Sequence, residues 1–130
     1  MNSTGLVDRL ARYDRVVEVG VGNRPDVAGG LAERGVDVLA TDLSPRAVPE
    51  GVAFVVDDIT DPDIARYEGA DAVFARNLPP ELHRPVLEVA RRVGAVFHFT
   101  TLGGDPASVP VTPETLPDET LFTATVTRGE

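Results

Sequence analysis

Cysteine is absent from all 130 residues, which removes disulfides, thiolate nucleophiles and cysteine-ligated zinc from consideration. Lysine is absent as well: the twelve basic residues are all arginine, they face 21 Asp and Glu, and the formal net charge is −9. No basic face for nucleic acid is expected from this balance, although concentrated salt weakens phosphate contacts in any case. No run is long and apolar enough to span a bilayer, and Met1-Asn2-Ser3-Thr4 lacks the charged start and apolar core of a signal peptide. The expected location is the cytoplasm. The length suits one domain over residues 1–130 with one core, leaving no room for a separate substrate domain.

What is present is organised around Val16-Val17-Glu18-Val19-Gly20-Val21-Gly22-Asn23. A Val-rich run reads as a strand buried on both faces, and the Gly-x-Gly after it is a turn at which side chains would obstruct a ligand. Glu18 interrupts the apolar run, and a carboxylate at that point needs water or a hydrogen-bonding partner. A second acid, Asp42, ends the run from Val36 to Thr41, about twenty residues after the loop, the spacing at which a strand-loop-helix-strand unit sets an acid against ribose hydroxyls.

Along the chain, residues 6–13 carry apolar side chains at helical spacing, with Ser3 or Thr4 available as a cap. Pro25 suits the first turn of a second helix with the stripe Val27, Ala28, Leu31 and Ala32, which Gly35 ends. Residues 52–58, 70–75 and 95–101 read as further strands, and residues 81–92 as a helix stopped by Gly94. His98, within an aromatic strand, reads as a hydrogen-bonded core residue. Pro106, Pro110, Pro113 and Pro117 exclude a long helix, so after residue 105 only residues 121–127 read as a strand. The expected fold is an α/β, open, mostly parallel Rossmann-like sheet of five to six strands with helices on both faces, truncated at the C-terminus. An exposed edge or uncovered face on such a sheet invites self-association, hence a possible homodimer.

Glu18-x-Gly20-x-Gly22 followed by Asp42 resembles the first two motifs of class I S-adenosylmethionine-dependent methyltransferases. The resemblance implies that Glu18, Gly20, Gly22 and Asn23 belong to the cofactor loop, and that Asp42, followed by Leu43, holds the ribose. It also offers Asp57 or Asp58 for the adenine amino group; turn formation and helix capping before Pro62 are the competing reading for both acids. Where that family often carries a third glycine, this chain has Arg24. Arg76-Asn77-Leu78-Pro79-Pro80 is similar to the Asn-Pro-Pro of amino-methylating members, with Leu78 inserted and Glu81 in place of an aromatic. Arg76, Asn77 and His83 are thus the candidates for the substrate side, and the prolines alternatively start the next helix. The whole chain also resembles a small archaeal family of Rossmann-like proteins, and its acid excess without lysine resembles proteins of salt-loving archaea. Surface carboxylates keep such a protein hydrated, while salt screens their mutual repulsion.

Three functions fit these residues. The first is an S-adenosylmethionine-binding, methyltransferase-like domain with an unidentified acceptor; methyl transfer from an activated sulfonium asks mainly for in-line positioning. The second is a NAD-type dinucleotide domain on Gly20-x-Gly22-x-x-Pro25, which electrostatics disfavour because Pro25 withdraws an amide and Glu18 adds negative charge where phosphates would lie. The third is a non-catalytic Rossmann-like partner or regulatory subunit, since little chain remains for lids around a pocket.

Overall fold

The computed structural model describes residues 3–124; residues 125–127 of the expected last strand lie outside that range. In chain order the elements are α1 (Thr4–Leu10), β1 (Arg15–Val19), α2 (Asp26–Glu33), β2 (Asp37–Asp42), β3 (Val52–Val56), a 3-10 turn (Ile64–Arg66), β4 (Ala72–Ala75), α3 (Pro80–Val93), β5 (Val96–Phe99), β6 (Val111–Thr115) and β7 (Thr120–Ala124). They build one mixed sheet in the order β3-β2-β1-β4-β5-β7-β6. Strands β1 to β5 run parallel, and β7 and β6 close the sheet antiparallel.

Alternation along the strands divides the core into two layers. Val16, Val38, Ala72 and Phe74 pack with Leu6, Val7 and Leu10 of α1 and with Val27, Ala28 and Leu31 of α2. Val17, Val19, Leu39, Val73, Ala75, Phe97 and Phe99 pack with Val86, Leu87, Val89 and Ala90 of α3. Because helices cover both faces, β1 is apolar at successive positions, which is the run legible in the sequence. The helices α1 and α2 meet closely at Gly30, where a Cβ would stand 2.9 Å from a methyl of Val7. Pro80 starts α3 where a missing amide donor costs nothing, and Gly94 ends it at φ 75°.

The structure corrects the expected strand count and the expected truncation. The sheet has seven strands, and the proline-rich stretch after residue 105 contains β6, paired with β7 in a hairpin. Pro113 fits inside β6 because this is an edge strand, where a ladder donor can be spared. The connections from β3 to β4 and from β5 to β6 carry no α-helix, so three α-helices cover the sheet. No helix among the described residues is long and apolar enough to cross a membrane.

His98 fastens α1's end of the molecule to the hairpin. Its ring is fully buried; Nε2 meets the Tyr13 hydroxyl at 2.7 Å and Nδ1 meets the Thr123 hydroxyl at 2.9 Å. Burial, reinforced by the charge of Arg9, pushes its pKa down to about 4. Tyr13→Phe removes one hydroxyl and leaves a buried ring nitrogen without a partner, so it should lower stability by about 1–3 kcal/mol. Denaturant unfolding in molar KCl checks this, and an unchanged midpoint would show that the contact holds nothing.

Candidate functional site

The sheet order reverses at β1 and β4, and a cleft opens at the carboxyl ends of the strands there, as the geometry of an open α/β sheet requires. Its volume is about 460 Å³. Gly20, Asp42 and Leu43 line one end, Asp57, Asp58 and Ile59 another, and Arg76 and Asn77 the side after β4.

The loop after β1 turns through two left-handed glycines, Gly20 at φ 72° and Gly22 at φ 58°. A Cβ on Gly20 would meet no protein atom within 4 Å, so backbone conformation demands glycine there and the space above it stays open. Four of the loop's amides are already engaged. Gly20 and Val21 both donate to the Thr41 carbonyl, at 2.9 and 3.0 Å, and Arg24 donates to the Val21 carbonyl at 3.3 Å. Gly22 donates to Oδ2 of Asp42 at 2.8 Å.

Asp42 is thereby a fixed acceptor. Its Oδ1 also takes the Ser44 amide at 3.2 Å and lies 3.4 Å from Arg46 Nε. Burial alone would raise its pKa, but the Gly22 and Ser44 amides and Arg46 outweigh that and hold it below the ordinary value. Arg46 in addition donates to the Asn23 side chain at 2.9 Å, lacing the loop after β1 to the loop after β2. Its place four residues after Asp42 was the only signal for this bridge in the sequence.

The two acids after β3 differ in freedom. Each oxygen of Asp57 already takes one bond, Oδ1 from the Asp63 amide at 3.0 Å and Oδ2 from the Tyr67 hydroxyl at 2.8 Å. In Asp58, Oδ1 accepts from the Thr60 amide and hydroxyl, which hold its pKa down, and Oδ2 has no partner among the described residues. Across the cleft, Asn77 adopts φ 52°, the one non-glycine in that region among the described residues. Asparagine tolerates this conformation better than most residues. Thr100 at the end of β5 secures it: the Thr100 hydroxyl accepts the Asn77 amide at 2.8 Å, and its carbonyl accepts the Leu78 amide at 2.9 Å. Nothing in the sequence singled out Thr100.

Three candidates, Glu18, His83 and Asn23, stand elsewhere than expected. Glu18 does not share the rim with Asp42; it lies on the α1 and α2 side of the sheet, 2 % exposed, and its Oε1 has no hydrogen-bond partner. Period-two alternation sends it there, since it is level with Phe74 in the neighbouring strand. Burial pushes its pKa up to about 8, Arg76 opposes this, and Asp26 adds to it. Arg76 itself forms a two-pronged ion pair with Asp26 at 3.0 and 3.1 Å, so its charge is already matched. His83 is fully buried rather than at the mouth: Nδ1 accepts the Ser108 amide at 3.1 Å and Nε2 donates to the Leu78 carbonyl at 2.9 Å, bracing the loop from below. Asn23 and Arg24 are exposed and outside the lining, so Arg24 leaves the cleft open. No three His, Asp or Glu side chains among the described residues cluster to hold a metal ion.

The sheet is the α/β Rossmann-like fold shared by S-adenosylmethionine-dependent methyltransferases of solved structure. Similar solved structures include an RNA methyltransferase from Salinibacter ruber in complex with S-adenosyl-L-homocysteine, with TM-score 0.65 and 18% identity over 100% of this chain and 95% of that one. A TehB-like methyltransferase from Corynebacterium glutamicum has the same TM-score at 19% identity, over 91% of this chain and 83% of that one. The chain belongs to the Uncharacterised protein family (UPF0146), which it matches over residues 3–119. A UPF0146 protein of Halobacterium salinarum is 57% identical over 116 residues, 88% of this chain and 90% of the relative.

Glu18 gives the fold a pH signature. Unfolded, its carboxyl ionises near 4.5; folded, it keeps its proton up to about 8, so the folded state binds the extra proton between these values. Its contribution to stability is therefore complete below pH 4.5, falls as pH rises through that window, and levels off above 8. Glu18→Gln lacks this loss. The melting temperature of the variant should rise relative to the parent between pH 5 and pH 9, and a constant difference across that range would contradict the buried, protonated acid.

Proposed function

We propose that the cleft binds S-adenosylmethionine and that the protein is a methyltransferase-like domain whose acceptor enters on the Arg76 and Asn77 side. The observation that carries this reading is the state of the glycine loop: the Gly20, Val21, Gly22 and Arg24 amides all have carbonyl or carboxylate acceptors within the chain. A pyrophosphate needs free amide donors at such a turn, and here it would meet Asp42 instead. A nucleoside without phosphate needs only an acceptor for its hydroxyls and an apolar surface for its base. Asp42 Oδ2 retains a lone pair beyond the one used by Gly22, and Leu43 and Ile59 supply apolar surface beside it. Asp58, with Oδ2 unspent, suits an exocyclic amine better than Asp57 does.

S-adenosylmethionine brings a methyl group already activated on a sulfonium, so the chain's own task is binding and alignment. Acids around the cleft complement a cofactor that carries positive charge and no phosphate. On the acceptor side, Asn77 is held in a conformation that most residues avoid, as happens where a side chain must be aimed. Nucleic acid is disfavoured as the acceptor, because acids outnumber arginines by nine and seven of the eleven described arginines, Arg9, Arg15, Arg34, Arg46, Arg66, Arg76 and Arg91, are paired with acids of this chain.

Titration calorimetry in molar KCl with S-adenosylhomocysteine and with NAD tests the reading. The first should bind and the second should not. Asp42→Asn, which keeps the shape and removes the charge, should weaken the first by about tenfold or more, the loss expected when a charged acceptor leaves a hydroxyl pair. Binding of NAD alone would transfer the site to a dinucleotide, and binding of neither would remove the cofactor altogether.

A further inference from the structure

The two edges of the sheet are built differently. At one edge, β6 carries Pro113 and Glu114, and Glu114 is tied to Arg9, which are the usual devices that keep an edge from pairing. At the other edge, β3 reads Val52-Ala53-Phe54-Val55-Val56, with no charge and no proline. Ala53 is exposed and Val56 is 50% exposed.

The hydrogen-bonding groups of β3 point in known directions. The Asp57 amide reaches back to the Asp42 carbonyl at 3.0 Å, so by alternation Ala53 and Val55 address β2 while Phe54 and Val56 present amide and carbonyl to the open side. The Val52 amide is occupied by the Pro49 carbonyl at 3.2 Å, but its own carbonyl also faces outward. The strand is nearly palindromic about Phe54. In an antiparallel copy related by a two-fold axis at that residue, Phe54 meets Phe54, Val52 meets Val56 and Ala53 meets Val55. Phe54 then exchanges two bonds with Phe54 of the other copy and each Val56 amide finds a Val52 carbonyl, while the return bond to the Val56 carbonyl is given up because the Val52 amide is held by Pro49, so four of the six ladder bonds form. Val52, Phe54 and Val56 also lie on one face of the sheet and would form a continuous apolar row across the axis. An isologous contact requires this kind of self-complementarity.

We propose that the β3 edge is a self-association surface, on which two copies of the chain join antiparallel about Phe54 into one continuous sheet. This places the contact at the edge opposite the C-terminal hairpin, next to Asp57 and Asp58 of the cleft. The same register sets Glu50 against Asp58 of the other copy, so salt must strengthen the contact by screening that repulsion. Five paired residues bury less than a standard interface, and a dissociation constant on the order of micromolar is expected.

Sedimentation equilibrium from low to molar KCl tests this, together with hydrogen exchange at increasing protein concentration. The expected result is a monomer–dimer equilibrium that shifts toward dimer with salt, with the Phe54 and Val56 amides gaining protection as concentration rises. Val56→Lys, at an exposed position, should weaken the dimer at least tenfold while Thr112→Lys on β6 leaves it unchanged. Only monomer at 100 micromolar in molar KCl (about a hundredfold above a micromolar constant) overturns the proposal. So does a dimer that Thr112→Lys disrupts, or one that forms without protecting residues 54 and 56. The exchange measurement uses the unmodified chain and decides the matter even if Val56→Lys does not fold.

Discussion

The bond from the Gly22 amide to Asp42 Oδ2 is the contact on which the site depends. It ties the turn after the central strand to the end of its neighbour, and in doing so fixes the conformation of the glycine loop and the direction of the carboxylate together. Arg46 doubles the tie through Asp42 and Asn23. The consequence is an acceptor with restricted freedom beside a floor kept bare by Gly20. An ordered acceptor loses little entropy when a hydroxyl binds to it, which is how a small cleft can be selective without a lid.

The opposite wall is secured by different means. Thr100 holds Asn77 and Leu78 from one side and His83 holds the Leu78 carbonyl from below, so the loop after β4 is pinned to β5 and α3 rather than to the first half of the sheet. Each wall is therefore attached to its own half of the fold, and the cleft lies where the two halves meet. Glu18 and Arg76 sit behind this meeting point. A buried carboxyl with an unpaired oxygen is costly unless it keeps its proton, and burial raises its pKa despite a nearby guanidinium.

The parallel core and the Asp42 position were legible in the sequence because they rest on local patterns: a Val-rich run, a Gly-x-Gly turn and a fixed spacing to the next acid. Residues 121–124 were read as a strand for the same reason. Strand β6 was not, because the cost of proline in a strand depends on whether the strand has a neighbour on both sides, and that is a property of the assembled sheet. The direction of Glu18 follows from alternation along β1, whereas its place in the motif points toward the cleft. His83 and Thr100 were opaque, since His83 bonds the Ser108 amide 25 residues away as well as the Leu78 carbonyl, Thr100 bonds the Asn77 amide 23 residues away, and no spacing rule connects them.

The position of β1 at the middle of the sheet also bears on biosynthesis. One flank of that strand is paired by β2 soon after it is made, but the other waits for β4, whose residues Ala72–Ala75 come more than fifty residues after Val19. Until that segment has left the ribosome, a row of valines stays half covered beside an empty ladder. A nascent chain in this condition is prone to stick to others, so the interval between these two strands is the vulnerable stage of its birth.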